Sequence, residues 1–424
     1  MPDAPEIFGM PAEKGRWGLV ALGLLINLCL GSIYSWSVFV SPLAAYFTAT
    51  LGREVTAGEV LLPFSVFLAF FAVAMPLTGK YIERYGPRRV TIVGGLLTGL
   101  GWLLASTATS VEAIGGLGVG IAYGVPVAVA TRWFPDRRGL AVGLTLLGFG
   151  FSAFVTANAA GALIAAYGVM ATFRVFGAAL IAVLVLAALP LRFPPGGWRP
   201  KGWSPPPPGV GTAPISECDR RAMLRTGAFY GLFACYFIGC LAGLAAISIA
   251  KPVGTEVAGV EAGLATVLVG FFAVFNGIGR PAFGSLADRI TPQKAAMLTF
   301  VLIAAASVLM WLLPGGPAYV LAFAVLWGCL GGWLAIAPTA TASYFGTCDY
   351  PRCYGVVFLA YGAGAIAGPQ VAGFVRTATG TYLGVFPLVA ALAAVGFVAA
   401  WLLMRPPAAA PVREENGRGI TPSR

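Results

Sequence analysis

From residue 17 onward the chain returns repeatedly to uninterrupted apolar runs about as long as a lipid bilayer is thick. A hydrocarbon core of about 30 Å takes roughly 20 helical residues to cross. Inside it every backbone polar group must be bonded within the protein, which for runs of this length means helices. Twelve such runs can be laid down: 17–46, 59–83, 88–109, 112–134, 138–167 and 169–191, then 221–250, 260–287, 292–313, 317–346, 351–377 and 380–404. Only 10% of the 424 residues are charged and 58% are hydrophobic, a surplus that a soluble domain has no interior to hide. The expected fold is therefore an all-α polytopic membrane protein with twelve transmembrane helices. Lys14 and Arg16 lead into a first run far longer than the hydrophobic stretch of a cleaved leader, so the first helix is expected to stay in the membrane.

Between the sixth and seventh runs, Pro194, Pro195 and Pro205 to Pro208 exclude helix and strand alike and read as a linker. The expected organisation is an N-terminal six-helix bundle over 1–192, a linker over 193–220, a C-terminal six-helix bundle over 221–404 and a tail over 405–424. Alternating the loops puts 22 of the 27 Lys and Arg residues on one side and 4 on the other. The positive-inside rule makes the first side cytoplasmic, with both termini there, as expected for a cell inner-membrane protein. The net charge of +11 is thus topological and needs no nucleic-acid partner.

Several chemistries are excluded or disfavoured. The chain has no histidine, and its seven cysteines show neither a C-x-x-C pair nor zinc spacing. No nucleophile with a base, no metal cluster and no phosphate-binding glycine loop is visible, so neither an enzyme nor a cofactor is expected.

The one Lys or Arg that fits neither side is Arg280, in the middle of the eighth run. An arginine at a helix centre costs about 2.5–3.5 kcal/mol on insertion scales and should face a wet cavity or a partner. All 16 acids can be placed at helix ends or in loops, which leaves an anionic substrate as that partner. Guanidinium binds a carboxylate through two parallel hydrogen bonds. Asn276, one turn earlier on the same face, can donate to the same anion or hold the guanidinium in place. One uncompensated positive charge matches a monoanion. An ion pair within the protein is the competing interpretation, and it lacks an interior acid.

The halves also repeat. Gly79, Glu83, Arg84 and Arg88 close the second run, and Gly284, Asp288 and Arg289 close the eighth, the Gly, acid and Arg positions keeping a constant offset. Pro76 and Pro281 keep it too. Six plus six helices with this loop and its copy resemble the major facilitator superfamily, although Glu83 stands where the family usually has Asp. The resemblance implies two pseudo-symmetric six-helix bundles and a cytoplasmic charge latch at these residues. Solvated interfacial charges are the plainer alternative for them. Gly31 to Phe39 and Trp133 to Ala141 are similar to the oxalate/formate antiporter family, and the Asn276/Arg280 helix to both that family and the monocarboxylate transporters.

Tyr361 stands where the oxalate-transporter stretch has a functional Lys, which disfavours dicarboxylates. Phe358, one turn away, is a candidate apolar wall, as is Leu330 before the glycine pair Gly331 and Gly332. Tyr34 with Leu28 on the first helix, Tyr123 beside Gly124 and Pro126, and Leu147 in a glycine-rich helix complete the candidate substrate-binding set, each with ordinary helix packing as its alternative. The expected function is secondary transport of small monocarboxylates such as lactate or pyruvate by alternating access, with Arg280 as anchor. Proton symport is implied by the monocarboxylate resemblance. Anion exchange of the oxalate/formate type and a carboxylate-binding membrane sensor are the alternatives. One chain supplies both halves of a pathway, so a monomer in the lipid bilayer is expected.

Overall fold

The computed structural model describes residues 6–107, 118–203, 220–346 and 350–406. The proline run 205–208, the first residues of the fourth expected span and residues 407–424 of the expected tail lie outside them. The first half consists of α1 (Ala12–Leu30), α2 (Ser37–Leu51), α3 (Ala57–Ala105), α4 (Gly118–Trp133), α5 (Arg138–Tyr167) and α6 (Val169–Ala188). A short α7 (Arg220–Met223) precedes α8 (Gly227–Glu256), α9 (Ala262–Ile290), α10 (Pro292–Leu312), α11 (Gly316–Phe345), α12 (Tyr350–Thr379) and α13 (Val385–Leu403). Ten segments among the described residues are long and apolar enough to cross a membrane. The second arm of α3 and the described part of α4 make up the twelve crossings. Leu104, Leu186 and Phe374 project from the outside of the bundle, as suits helices whose neighbour is lipid.

One span departs from the simple pattern, and the next two meet at a sharp break. The first runs as α1 and α2 joined through a tight 3-10 turn at Gly31–Ser35, not as one helix over 17–46. Gly31 lies so close to α5 that a Cβ there would sit 2.6 Å from the Phe149 carbonyl oxygen, and the chain tightens at this contact. The second and third spans share α3, whose 49 residues would measure about 74 Å if straight, more than twice a bilayer core. The break comes at Gly86 (φ 79°, ψ 163°), which only glycine adopts readily, followed by Pro87, which has no N–H to continue the ladder. The repeat reappears in the backbone here. Thr291, at the offset that separates Gly79 from Gly284, also precedes a proline and also has positive φ (100°). Its hydroxyl accepts from the Lys294 N–H at 3.3 Å and caps α10.

The halves meet along two helix pairs, α3 with α12 and α5 with α9. At the end of the bundle away from most of the basic residues, a Cβ on Gly373 would lie 2.7 Å from Gly58 Cα. Nearer the middle, a Cβ on Gly150 would lie 2.7 Å from Gly277 Cα. Backbone touches backbone at both places, as small residues permit between membrane helices.

At the basic end of the first half, a hairpin of β1 (Glu6–Ile7) and β2 (Met10–Pro11) folds back on α1. Ile7 fits against Gly15 and the Phe8 ring against Gly18. Beneath it Arg16, expected as a surface cation, is buried. It donates to both Asp136 carboxylate oxygens at 2.6 and 2.8 Å and to the Trp133 carbonyl at 2.9 Å. The Phe134 ring lies 4.3 Å from its guanidinium carbon. The segment after α6 closes the assembly: Trp133 Nε1 donates to the Arg192 carbonyl at 2.7 Å, and Trp198 packs edge-on against Trp133. The sequence offered no local sign of this, because the pair joins residues 120 apart.

Two predictions follow from the backbone break and the buried pair. Gly86→Ala puts a side chain into a conformation costing about 1–3 kcal/mol, although open space surrounds the site. Gly143→Ala, in a helix and equally open, is neutral or stabilising. Thermal unfolding in detergent should separate the two, and equal midpoints would contradict the account of the break. The Arg16 guanidinium holds the Asp136 carboxyl below its ordinary range. The pair's contribution to stability is therefore present above the unfolded-state value of about 3.9 and lost as pH falls through the lower folded-state value. Asp136→Asn should lower the midpoint at neutral pH and flatten its decline between pH 5 and 3, to roughly the extent that one partly buried carboxylate governs that decline.

Candidate functional site

The centre of the bundle is built around Arg280. Pro281 follows it in α9 and lacks the N–H that would bond the Gly277 carbonyl, so the helix is locally loosened where the cation sits. On one side Gly277 lets α5 approach, a Cβ there meeting the Phe151 ring at 2.5 Å and Leu147 Cδ1 at 3.3 Å. On the other, Gly331 of α11 lies against the Asn276 backbone. Arg280 is 7% exposed. Its Nη1 donates to the Leu146 carbonyl of α5 at 3.0 Å, and its guanidinium carbon lies 5.7 Å from the centre of the Phe149 ring. Its Nε and Nη2 are buried without a hydrogen-bond partner. These two nitrogens form one edge of the guanidinium plane, the edge that pairs with a carboxylate through two parallel hydrogen bonds.

Asn276 is fully buried, but it does not hold the guanidinium. Its Nδ2 donates to the Trp327 carbonyl of α11 at 3.0 Å, while Oδ1 faces the backbone of Gly150 unpaired. Tyr34, carried by the 3-10 turn, meets Tyr361 of α12 hydroxyl to hydroxyl at 3.0 Å, a direct polar contact between the halves. Tyr361 stacks on Phe358 with ring centres 5.0 Å apart. Tyr34 and Tyr123 both lie near the Arg280 guanidinium, the Tyr123 hydroxyl within side-chain contact of it. Arg280, Tyr34, Tyr123, Phe358 and Tyr361 are thus brought together.

Phe71 and Phe149 were not anticipated, and they tie this group into one cluster. Phe71 contacts Tyr123, Phe149, Phe358 and Tyr361 at centre distances of 4.9 to 5.8 Å. Phe149 receives Tyr34 edge-on at 5.0 Å. Phe149 stands between Gly148 and Gly150, a signal of close helix approach that could have singled it out; Phe71 lies in an apolar run with no such mark. The other candidates are placed differently. Leu147 is half-buried on the α5 face turned to Gly277, Leu330 packs against Gly243 of α8, and Leu28 is half-buried on α1.

Of the loop residues, Glu83 pairs with Arg132 of α4 at 3.2 Å in an exposed position, and Arg84 leans on the Tyr85 ring at 5.4 Å. Gly79 lies in the first arm of α3, and its surroundings are outside the described residues. Gly284 faces Ala335. Asp288 and Arg289 are exposed and make no ion pair among the described residues, and Arg88 lies apart from them beside Arg192.

The hydroxyl pair has a measurable signature. Tyr361→Phe leaves the Tyr34 hydroxyl buried without its partner and should cost about 1–3 kcal/mol, as should Tyr34→Phe. The double variant removes both polar groups and should cost less than the sum of the two. Unfolding midpoints of the four proteins test this, and additive losses would mean that the hydroxyls are not coupled.

A family model described as Major Facilitator Superfamily matches residues 24–346. The oxalate:formate antiporter of Oxalobacter formigenes is 28% identical over 376 residues, covering 85% of each chain. Monocarboxylate transporter 13 of Bos taurus is 27% identical over 398 residues, which is 90% of this chain and 88% of its own. In fold, the chain is similar to a bacterial homologue of the human lysosomal transporter Spinster in an inward-facing, unoccupied conformation. The TM-score is 0.68 over 92% of this chain and 98% of that one, at 16% identity. With a match over most of its length and twelve crossings in two repeated halves, the chain belongs to the major facilitator superfamily, a family of membrane transporters.

Proposed function

We propose that the protein carries small monocarboxylates of the lactate and pyruvate type by alternating access, with Arg280 anchoring the carboxylate. The observation that carries this is the unpaired Nε and Nη2 edge of a buried guanidinium. Two donors side by side, one positive charge and no buried carboxylate among the described residues ask for a planar monoanion. The rings of Phe71, Phe149 and Phe358 offer the non-polar end of such an acid an apolar surface, and the Tyr34 and Tyr361 hydroxyls offer a polar substituent a partner. The similarity to a monocarboxylate transporter supports this substrate class, and that to an oxalate:formate antiporter supports small carboxylates more broadly. The arginine-rich end is read as cytoplasmic, in a cell inner membrane, with both termini there and one chain forming the pathway.

Proton symport is the coupling implied by the monocarboxylate resemblance. Exchange of one monoanion for another has a specific observation in its favour. Two acids at helix ends are engaged and so poor seats for a proton: Glu59 pairs with Arg53 at 2.6 Å and completes a capping box with Thr56, and Glu261 caps α9 through the amides of Gly263 and Leu264. Alkalinisation of the medium when lactate is added to de-energised cells supports symport; strict dependence of uptake on an internal anion supports exchange.

Arg280→Ala should reduce uptake of radiolabelled lactate into vesicles to background, and Arg280→Lys, which keeps the charge but not the two-pronged edge, should lose about 10-fold or more. Uptake by Arg280→Ala at the wild-type rate would remove the anchor from the proposal. A thermal-shift panel of acids adds a test of charge matching. Wild type should respond to lactate and not to oxalate, and Tyr361→Lys should gain the oxalate response.

A further inference from the structure

A second cationic feature lies at the basic end of the first half, away from the central cluster. Arg88, at the start of the second arm of α3, and Arg192, beyond the end of α6, flank a recess of about 220 Å³. Ile7, Phe8 and Pro190 line the rest of it, and no acidic side chain does. Both arginines are exposed, and Arg88 makes no ion pair among the described residues. Arg192 uses one nitrogen on the Glu6 carbonyl, which ties the hairpin to the recess. Asp136 is engaged by Arg16, Glu83 by Arg132 and Glu13 by the Lys201 amide, while the Glu6 side chain is exposed and does not line the recess.

The hairpin gives the recess its apolar part. Phe8, at its tip, has φ 56°, a conformation that bulky side chains rarely adopt, and is followed by Gly9 at φ 69°. Its ring is seated on Gly18 yet remains 46% exposed. The chain thus holds an aromatic ring in an unfavourable backbone conformation at the rim of a doubly cationic hollow, where apolar helices emerge from the bilayer. Two guanidiniums beside an apolar floor match a ligand that is anionic at one end and greasy at the other. Phosphodiester oxygens accept from arginine in charge-assisted hydrogen bonds, and glycerol and the first acyl carbons suit Ile7, Phe8 and Pro190.

We propose that this recess binds the headgroup of an anionic phospholipid from the surrounding leaflet. Inorganic phosphate shares the charge and lacks the apolar part, so the lipid is the expected ligand. The test uses the purified full chain in detergent, with native mass spectrometry counting bound phosphatidylglycerol against phosphatidylcholine of identical acyl chains. Each arginine near an anionic headgroup is worth about 5-fold in affinity. Wild type should therefore prefer phosphatidylglycerol, and the Arg88→Gln/Arg192→Gln double variant should lose that lipid by about 30-fold while binding phosphatidylcholine as before. Equal binding of the two lipids by wild type overturns the proposal without recourse to any variant, as does undiminished phosphatidylglycerol binding by the double variant. In a parallel thermal-shift arm, inorganic phosphate should leave the midpoint unmoved where phosphatidylglycerol raises it; an equal rise with phosphate overturns the assignment to lipid.

Discussion

A guanidinium kept from water among aromatic rings and backbone is costly unless something accepts its hydrogen bonds, and the middle of this bundle is arranged around that cost. Leu146 lends a carbonyl, Phe149 offers the electron-rich face of its ring, and the remaining edge is left open. The carbonyl and the ring both belong to the first half, whereas Arg280 belongs to the second. The charge therefore draws the halves together at their centre, and an anion that satisfies the open edge changes the electrostatics of the whole interface, not of one helix alone.

Beside the aromatic packing of Phe71 on Phe358 and Tyr361, two kinds of contact join the halves around that centre. Toward one end the backbones of Gly58 and Gly373 nearly touch, and near the centre those of Gly150 and Gly277 do the same. Such contacts have no long side chains to repack when one half rotates on the other. At the centre the Tyr34 and Tyr361 hydroxyls bond across the interface, and this link is directional and can be replaced by a ligand's polar atoms. Smooth glycine contacts and a polar link that a ligand can replace suit a joint that opens and closes around a cargo.

What could be read in the sequence, and what could not, follows from how local each signal is. Arg280 and Asn276 stood out because a charge within an apolar run is an anomaly visible in one segment. The duplicated Gly, acid and Arg positions were legible for the same reason, and the structure carries the duplication into the backbone at Gly86 and Thr291. Phe71 was not marked, since a phenylalanine in a membrane helix is unremarkable until its neighbours are known, and Phe149 is marked only by its two flanking glycines. The burial of Arg16 had no local sign, because it depends on a hairpin, on Asp136 and on Trp198, all of them remote in sequence or lacking a local pattern. The division of 59–83 from 88–109 was legible because Gly86 and Pro87 are adjacent in sequence, and α3 breaks at that step.

That no described acid is buried beside Arg280 also has an electrical consequence. In a carrier that alternates access around a fixed centre, water reaches Arg280 first from one face of the membrane and then from the other. Its charge then experiences the potential of each compartment in turn without travelling through space. On the proposed function, the unloaded carrier behaves as a particle of charge +1 worth about 2.3 kcal/mol per 100 mV, held toward the negative side. Once a monoanion is seated the pair is neutral, and that bias vanishes. Membrane voltage would thus act on the unloaded return of such a carrier and leave the loaded crossing nearly untouched, so cargo and voltage govern opposite halves of the cycle.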